Sequence, residues 1–302
     1  MKILIYGVGA IGGFLGAYLQ KTNHDIYFIS RGDTLSKLKK TGLKLKSILG
    51  DQSYTDIKID KTLPREIIFD IIIISVKLYD LKNVILKIKN NIKKNTIILP
   101  FQNGILAENL ISKELNINNN FGAVAQISVS LNKKKEVLHH GKLATFFIGN
   151  MKKSKINKKL TMFTDDCQSI GLDVRYTERI DEKLWDKFIF LSAYSGLTTL
   201  TELTIGQIFS KKRYKKMFLD AMEETFELSK YFNVDFKKNP VETWSEKIKK
   251  MPYDMTSSMY IDFKNNRKLE LNWLSGFVVE SSKNLGINSE THNKILEGIN
   301  SK

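Results

Sequence analysis

The first half of the chain alternates between short apolar runs and segments of polar or helical character. The apolar runs span residues 2–6, 25–29, 71–76 and 96–101. Parallel strands must be joined by crossover connections, and these are usually helices, so this rhythm is typical of a mostly parallel sheet. The predicted fold class is therefore α/β, with a Rossmann-like, doubly wound sheet domain at the amino end.

After Gly104 the apolar runs follow one another at shorter intervals. This closer spacing predicts added strands and a hairpin. Further strands are expected at residues 121–131, 136–139, 143–148 and 173–176. A helix is expected over residues 155–170, ending at Gly171, and the run 173–176 is the closing strand of this part of the chain. We predict a domain boundary near residue 178.

Strand signals disappear after Ile180, and the remaining apolar residues recur at helical spacing. Helices are predicted over about 180–195, 204–232, 240–250, 268–286 and 288–300. The two predicted domains are thus a dinucleotide-binding domain over 1–178 and an all-helical substrate and catalytic domain over 179–302. In such an arrangement an active site is expected where the helices face the carboxyl ends of the strands.

A glycine-rich turn directly follows the first apolar run, at the spacing GxGxxG. Gly7 permits a tight turn, Gly9 lets the backbone approach a pyrophosphate, and Gly12 lets the next helix lie close to the sheet. The free N–H groups at that helix's start favour phosphate. The predicted cofactor-binding residues here are Gly7, Val8, Gly9, Ala10, Ile11 and Gly12.

The end of the second apolar run indicates which dinucleotide binds. Proteins that bind NAD usually carry an acidic residue there for the ribose 2′-hydroxyl, whereas this chain has Ser30 and Arg31. A guanidinium can bind a 2′-phosphate through charge-assisted hydrogen bonds, which favours NADP(H). Two alternatives stay open: Arg31 is a solvated loop residue, or the nearby Asp33 supports NAD.

Composition and charge narrow the class of protein. The chain has 302 residues, of which 42% are hydrophobic and 26% are charged, as in a globular protein with a large core. Its net charge of +16 would attract small anions. The lysines form no basic stripe interleaved with aromatics, however, so nucleic acid is not an expected partner.

No apolar stretch reaches membrane-span length, and we expect a cytoplasmic protein. The one cysteine, Cys167, excludes an internal disulfide and a cysteine-based metal site, and no metal is expected.

Polar side chains follow the third and fourth apolar runs. Lys77 comes after residues 71–76, and Gln102, Asn103 and Gly104 come after residues 96–101. An ammonium and side-chain amides at the carboxyl ends of neighbouring strands are candidates for cofactor and substrate binding. The alternatives are that Lys77 is simply exposed and that Asn-Gly is ordinary turn chemistry.

Lys187 stands in a predicted helix whose neighbouring positions are apolar, including Leu184, Phe190 and Leu191. A lysine there must extend to water or meet an anion. For a 2-oxo acid its ammonium would be a general acid that protonates the carbonyl oxygen. Further on, Glu270 is expected in the first turn of an apolar helix, either as favourable helix electrostatics or as an acceptor for a substrate hydroxyl.

Taken in order along the chain, these segments resemble the ketopantoate reductase (2-dehydropantoate 2-reductase) family. The resemblance covers nearly the whole length. It is carried by the GxGxxG turn, Ser30-Arg31-Gly32, Val76-Lys77, Gln102-Asn103-Gly104, Trp185-x-Lys187, Ser257-Ser258-Met259 with Asp262, and Glu270 with Gly276.

The resemblance implies an NADPH-dependent reduction of a 2-oxo acid to a 2-hydroxy acid, with 2-dehydropantoate the leading substrate and a place in pantothenate biosynthesis. On the family pattern Arg31 holds the 2′-phosphate, and Lys187 and Glu270 are catalytic. Lys77, Asn103 and Glu270 are also expected to bind cofactor. The expected substrate-binding residues are Asn103, Lys187, Leu191, Ser195 and Ser258. A homodimer is left open.

The chain also departs from that pattern. Well-known members carry asparagines where this chain has Leu191, Ser195 and Met255. Lost hydrogen bonds to a buried polar substrate cost about 1 to 3 kcal/mol each, so the reaction type is better supported than the substrate. Two alternatives remain: a reductase of a more apolar 2-oxo acid, and a non-catalytic protein that senses NADP.

Overall fold

The computed structural model describes residues 1–115, 121–151 and 156–302. The chain divides into two compact units, and each is described by itself. The first unit comprises residues 1–102 and 107–181, and the second comprises residues 103–106 and 182–302. The short segment 103–106 therefore groups with the helices that follow it in sequence only after residue 181.

Strands and helices alternate in the first unit. Its described strands are β1 (Lys2–Tyr6), β2 (Asp25–Ile29), β3 (Leu43–Lys46), β4 (Gln52–Tyr54), β5 (Lys58–Asp60), β6 (Ile71–Ile74), β7 (Ile97–Pro100), β8 (Phe121–Leu131), β9 (Val137–Asn150) and β10 (Asp173–Tyr176). Its helices are α1 (Ala10–Leu19), α2 (Gly32–Thr41), α3 (Leu81–Ile88), α4 (Ala107–Leu115) and α5 (Lys158–Ser169).

One sheet of this unit is wholly parallel, with the strand order β5-β2-β1-β6-β7. The four isoleucines of β6 are fully buried, as expected for a strand covered on both faces. The predicted parallel sheet and α/β class are confirmed. The third and fourth predicted runs are longer than the strands themselves, since β6 ends at Ile74 and β7 at Pro100.

A second sheet is mixed and is built on the long strand β9. Strand β8 pairs with it antiparallel, so the predicted hairpin is confirmed, while β10 and β3 pair with it in parallel. The runs 136–139 and 143–148 were expected to be separate strands, which is wrong, because β9 continues through both. Strands β3, β4 and β5 were missed, because each has four residues or fewer, which is too short for a clear apolar period.

The described residues of the second unit form helices and the loops between them, and none of them lies in a strand. Its helices are α6 (Ile180–Thr201), which starts in the first unit, α7 (Ile205–Ser210), α8 (Lys212–Lys230), α9 (Pro240–Ile248), α10 (Ser258–Lys264), α11 (Ser275–Leu285) and α12 (Glu290–Asn300). The expected all-α character is confirmed. Helix α10 was missed, because its seven residues are too few for a clear period.

Several predicted helix bounds need correction. The expected helix over 204–232 is two helices, because Lys211 has an extended backbone between them. The expected helix over 268–286 begins as a 3₁₀ turn over Leu271–Trp273, and α11 starts only after Leu274, whose backbone is non-helical. The start of the helix predicted over 155–170 lies outside the described residues, and α5 begins at Lys158 after the capping side chain of Asn157.

A buried polar network ties three helices of the second unit together. His292 Nε2 lies 2.9 Å from the carbonyl oxygen of Ala221 and 2.9 Å from Thr225 Oγ1, which in turn lies 3.0 Å from Ser192 Oγ. Since the carbonyl only accepts, the Nε2 atom carries the proton of a neutral ring. Burial lowers the pKa of His292 to about 4.

This network predicts an acid-sensitive core. In the unfolded chain His292 gains a proton below about pH 6.5, whereas in the folded chain it stays neutral down to about pH 4. The lowered pKa therefore means that stability is lost as pH falls through this window. We expect His292 alone to remove about 2 kcal/mol between pH 7 and pH 5.

Urea unfolding of the wild type and of His292→Gln at the two pH values measures this loss. The variant is expected to be less stable at pH 7 but to lose about 2 kcal/mol less on acidification. An equal loss in both proteins would contradict the role of His292.

Candidate functional site

The loop after β1 has the close contacts that its glycines require. Gly7 has a φ of +102°, and a Cβ there would lie 2.7 Å from Val76 Cγ1. A Cβ on Gly12 would lie 2.2 Å from the carbonyl oxygen of Gly7. The hydroxyl of Ser75 donates to that same oxygen at 2.6 Å, which fixes the turn.

Gly9 differs from its two neighbours because nothing lies within 4 Å of the place where its Cβ would be. It is the residue before α1 and has no side chain with which to cap the helix. The first-turn N–H groups of a helix have no partner within the helix. The open space beside Gly9 and these donors together form a cradle that fits a phosphate group.

Arg31 lies after β2 and immediately before α2, and its side chain is 77% exposed. Its guanidinium pairs with the carboxylate of Asp80 at 2.5 Å. Asp80 closes a 3₁₀ turn over Leu78–Asp80 after β6. The adjacent Ser30 is buried.

Lys77 lies in the segment that joins β6 to this 3₁₀ turn. It is partly buried, and its backbone is extended. The strand ends at Ile74, so Lys77 emerges three residues after the strand rather than directly from its end. Lys77 belongs to the same sheet edge as the glycine loop, because β1 and β6 are parallel neighbours.

The second unit joins Lys187 to Asn103. The Nζ atom of Lys187, on α6, donates to Asn103 Oδ1 at 3.0 Å. Leu184 and Phe190 on the same helix are buried, as the apolar spacing predicted. Lys187 keeps some exposure, but the surrounding protein removes enough water to lower its pKa to about 8, while the charge of Glu270 acts to raise it.

Glu270 is buried, with 5% of its surface exposed. It precedes the 3₁₀ turn Leu271–Trp273, so the expectation that it lies in the first turn of a helix is wrong. Its carbonyl oxygen accepts from the N–H groups of Trp273 and Leu274 at 3.0 and 3.2 Å. The buried carboxylate acts electrostatically on Lys187, which gives Lys187 an acidic neighbour in the same unit.

The two serines before α10 have different environments. Ser257 is buried; its Oγ accepts from Tyr260 N–H at 3.1 Å and lies 2.7 Å from Thr198 Oγ1 on α6. Ser258 is the exposed first residue of α10. The structure therefore leaves the Ser258 hydroxyl accessible and uses Ser257 to join α10 to α6.

One face of α6 carries Lys187, Leu191 and Ser195 at intervals of four residues. Leu191 is partly exposed and Ser195 is buried. Met255, before α10, is also partly exposed. The positions that depart from the family pattern thus include two apolar side chains with accessible surface.

Comparisons with known proteins match both units. The family model described as ketopantoate reductase PanE/ApbA matches residues 3–153, and its C-terminal companion matches residues 179–302. The chain belongs to the ketopantoate reductase family. It is therefore a member of a family of oxidoreductases.

Individual relatives are distant but span the whole length. The uncharacterized oxidoreductase YkpB of Bacillus subtilis is 26% identical over 95% of this chain and 94% of its own length. A 2-dehydropantoate 2-reductase of Aquifex aeolicus is 26% identical over 100% of this chain and 97% of its own length. A D-mandelate dehydrogenase solved with NADH and anilino(oxo)acetate is 21% identical, with a TM-score of 0.90 over 100% of this chain and 97% of that one.

Three features of this ketopantoate reductase family member were not predicted. The carboxylate of Asp80 pairs with the guanidinium of Arg31, and the hydroxyl of Thr198 is within hydrogen-bond distance of the Ser257 hydroxyl. Glu108 is buried in the first turn of α4, and burial raises its pKa to about 8. An acidic residue at a helix start or a serine before a helix is ordinary in sequence, so the pattern carried no signal for them. Among the described residues, no helix has both the length and the hydropathy to cross a membrane.

Proposed function

We propose that this chain reduces a 2-oxo acid to a 2-hydroxy acid with NADPH. The observation that carries the proposal is the partly buried ammonium of Lys187, which has a pKa of about 8, an amide partner in Asn103 and an acidic neighbour in Glu270. A cation with a pKa near the working pH suits a general acid.

The glycine loop and Arg31 would hold the cofactor. The cradle beside Gly9 suits the pyrophosphate, and the exposed guanidinium of Arg31 suits a 2′-phosphate. A bound nicotinamide supplies the hydride that reduces the substrate's carbonyl carbon. The protein's own part of the reaction is to orient the substrate and supply a proton.

Lys187 would supply that proton to the carbonyl oxygen. Asn103 holds the Nζ atom through a hydrogen bond that leaves further N–H donors for substrate. The negative charge of Glu270 favours the protonated lysine and so counteracts the effect of burial. The exposed hydroxyl of Ser258 is a candidate donor to the substrate carboxylate.

The proposed substrate is 2-dehydropantoate, as in the relatives whose names state that activity. A second candidate is a more apolar 2-oxo acid, because Leu191 and Met255 give no hydrogen bonds to a polar substituent. Oxidation of NADPH with a panel of 2-oxo acids tests the whole proposal. Tight NADPH binding without turnover of any acid would instead favour a non-catalytic sensor.

Replacing Arg31 tests the cofactor assignment. Loss of a charged hydrogen bond costs about 1.5 to 3 kcal/mol, so Arg31→Ala should weaken NADPH binding by about tenfold to a hundredfold. NADH, which lacks the 2′-phosphate, should bind almost as before. Isothermal titration measures both, and unchanged NADPH affinity in the variant would remove Arg31 from the cofactor site.

Replacing Lys187 tests the proton donor. Lys187→Ala should lower turnover by roughly a hundredfold to ten-thousandfold with NADPH binding retained. Lys187→Arg should not rescue it, because a guanidinium keeps its proton. Lys216, an exposed lysine of α8 paired with Asp220, gives the matched control Lys216→Ala. Normal turnover in Lys187→Ala would exclude the assignment.

The pKa of Lys187 predicts how the rate of the reaction depends on pH. Reduction needs protonated Lys187, which predominates below its pKa of about 8, so kcat/KM for the 2-oxo acid should fall as pH rises through this value. The reverse oxidation needs the neutral amine and should rise over the same range. Identical profiles in both directions would contradict a single titrating lysine.

Substrate selectivity tests the second candidate. A site built to bind a hydroxyl discriminates against an analogue without it by about ten-thousandfold. If Leu191 and Met255 line the substrate-binding site, the ratio of kcat/KM for 2-dehydropantoate to that for its analogue without the hydroxyl should be far smaller. Leu191→Asn should raise this ratio, and Leu191→Ala is the control for size. A ten-thousandfold preference in the wild type would overturn the apolar interpretation.

A further inference from the structure

The Arg31–Asp80 ion pair joins two loops at one edge of the parallel sheet. Arg31 follows β2 and Asp80 follows β6, and β1 lies between these strands. The pair therefore spans the end of β1, where the glycine loop begins. Burial raises the pKa of the Tyr6 hydroxyl at the end of β1, and both charges also act on it: Arg31 lowers this pKa and Asp80 raises it.

The two partners are not equally free to move. The Asp80 side chain is 21% exposed and its backbone N–H donates to the carbonyl oxygen of Lys77 at 2.9 Å, whereas the Arg31 side chain is 77% exposed. An exposed ion pair adds little stability, so the guanidinium can turn to another anion at small cost. The Asp80 side chain is the less exposed partner and stands on a backbone that the turn holds.

A second carboxylate near Arg31 in sequence is already engaged. Asp33, in the first turn of α2, pairs with Lys37 at 3.1 Å and with Lys135 at 3.3 Å. These lysines hold its pKa below the ordinary value. Asp80, rather than Asp33, is therefore the carboxylate that faces the guanidinium.

We propose that Asp80 is a cofactor-selecting residue that lets this chain bind NADH as well as NADPH. Its carboxylate accepts a hydrogen bond from the ribose 2′-hydroxyl of NADH and repels the 2′-phosphate of NADPH. Arg31 attracts the same phosphate, so the two side chains act in opposition. This inference rests on the proposed function, because it takes the dinucleotide cradle beside Gly9 as given.

The chemistry of the two ligands supports opposite effects. A ribose hydroxyl can donate to a carboxylate, and such charge-assisted bonds are stronger than neutral ones. A 2′-phosphate has no proton to donate when fully ionised, so near Asp80 it meets a like charge. Arg31 without Asp80 would give a strong preference for NADPH, and the pair reduces that preference.

Direct binding tests the inference without any turnover assay. Isothermal titration of the full chain with NADPH and with NADH gives two dissociation constants for each variant. The wild type is expected to bind both dinucleotides within about tenfold of each other. Asp80→Asn should bind NADPH more tightly and NADH more weakly, and so shift the ratio towards NADPH by about tenfold or more.

Two matched variants separate this effect from net charge and from the other carboxylate. Asp51→Asn removes the same charge from an exposed residue near the β3–β4 turn, where Asp51 pairs with Lys46. Asp33→Asn removes the carboxylate held by Lys37 and Lys135. Neither should change the NADPH to NADH ratio by more than about threefold, and circular dichroism confirms that each variant is folded.

The failing outcomes are distinct. If Asp80→Asn leaves the ratio unchanged or weakens NADPH binding, Asp80 only orients Arg31 and the inference is overturned. If Asp33→Asn shifts the ratio as much as Asp80→Asn, the selecting carboxylate is misassigned. If the wild type binds neither dinucleotide, the proposed function itself fails.

Discussion

The shared direction of five strands is the constraint on which the first unit depends. Because β5, β2, β1, β6 and β7 are all parallel, their carboxyl ends lie at one edge. Backbone hydrogen bonds extend the register past the strand ends, from Gly7 N–H to Ile29 O at 2.9 Å and from Ser75 N–H to Tyr6 O at 3.0 Å. The glycine loop is therefore fixed against both neighbouring loops before any side chain acts.

That edge brings together groups that are far apart in sequence. Ser75 fixes the Gly7 carbonyl, and Asp80 reaches Arg31 across the end of β1. Glycine is needed at position 7 because of both its positive φ and the closeness of Val76. An exposed guanidinium and a less exposed carboxylate therefore lie beside the glycine loop.

The second unit holds the ammonium of Lys187 in a partly desolvated position. An isolated buried ammonium would be costly, but here Asn103 accepts a hydrogen bond and Glu270 contributes a negative charge. The result is a lysine with a pKa of about 8, charged at neutral pH and ready to lose its proton. Buried hydrogen-bond contacts among Ser192, Thr225 and His292 join α6, α8 and α12.

The sequence by itself determined the α/β class, the parallel sheet, the hairpin and the helical second half, because each depends on periodicity within a short window. It also singled out Lys187, whose apolar neighbours lie on its own helix. It missed β3, β4, β5 and α10, because elements of three to seven residues contain too few positions to show a period. Only the tertiary structure decided which distant side chains meet: Asn103 with Lys187, Thr198 with Ser257, and Asp80 with Arg31. Such pairs depend on strand order and helix packing, and no local pattern of residues specifies those.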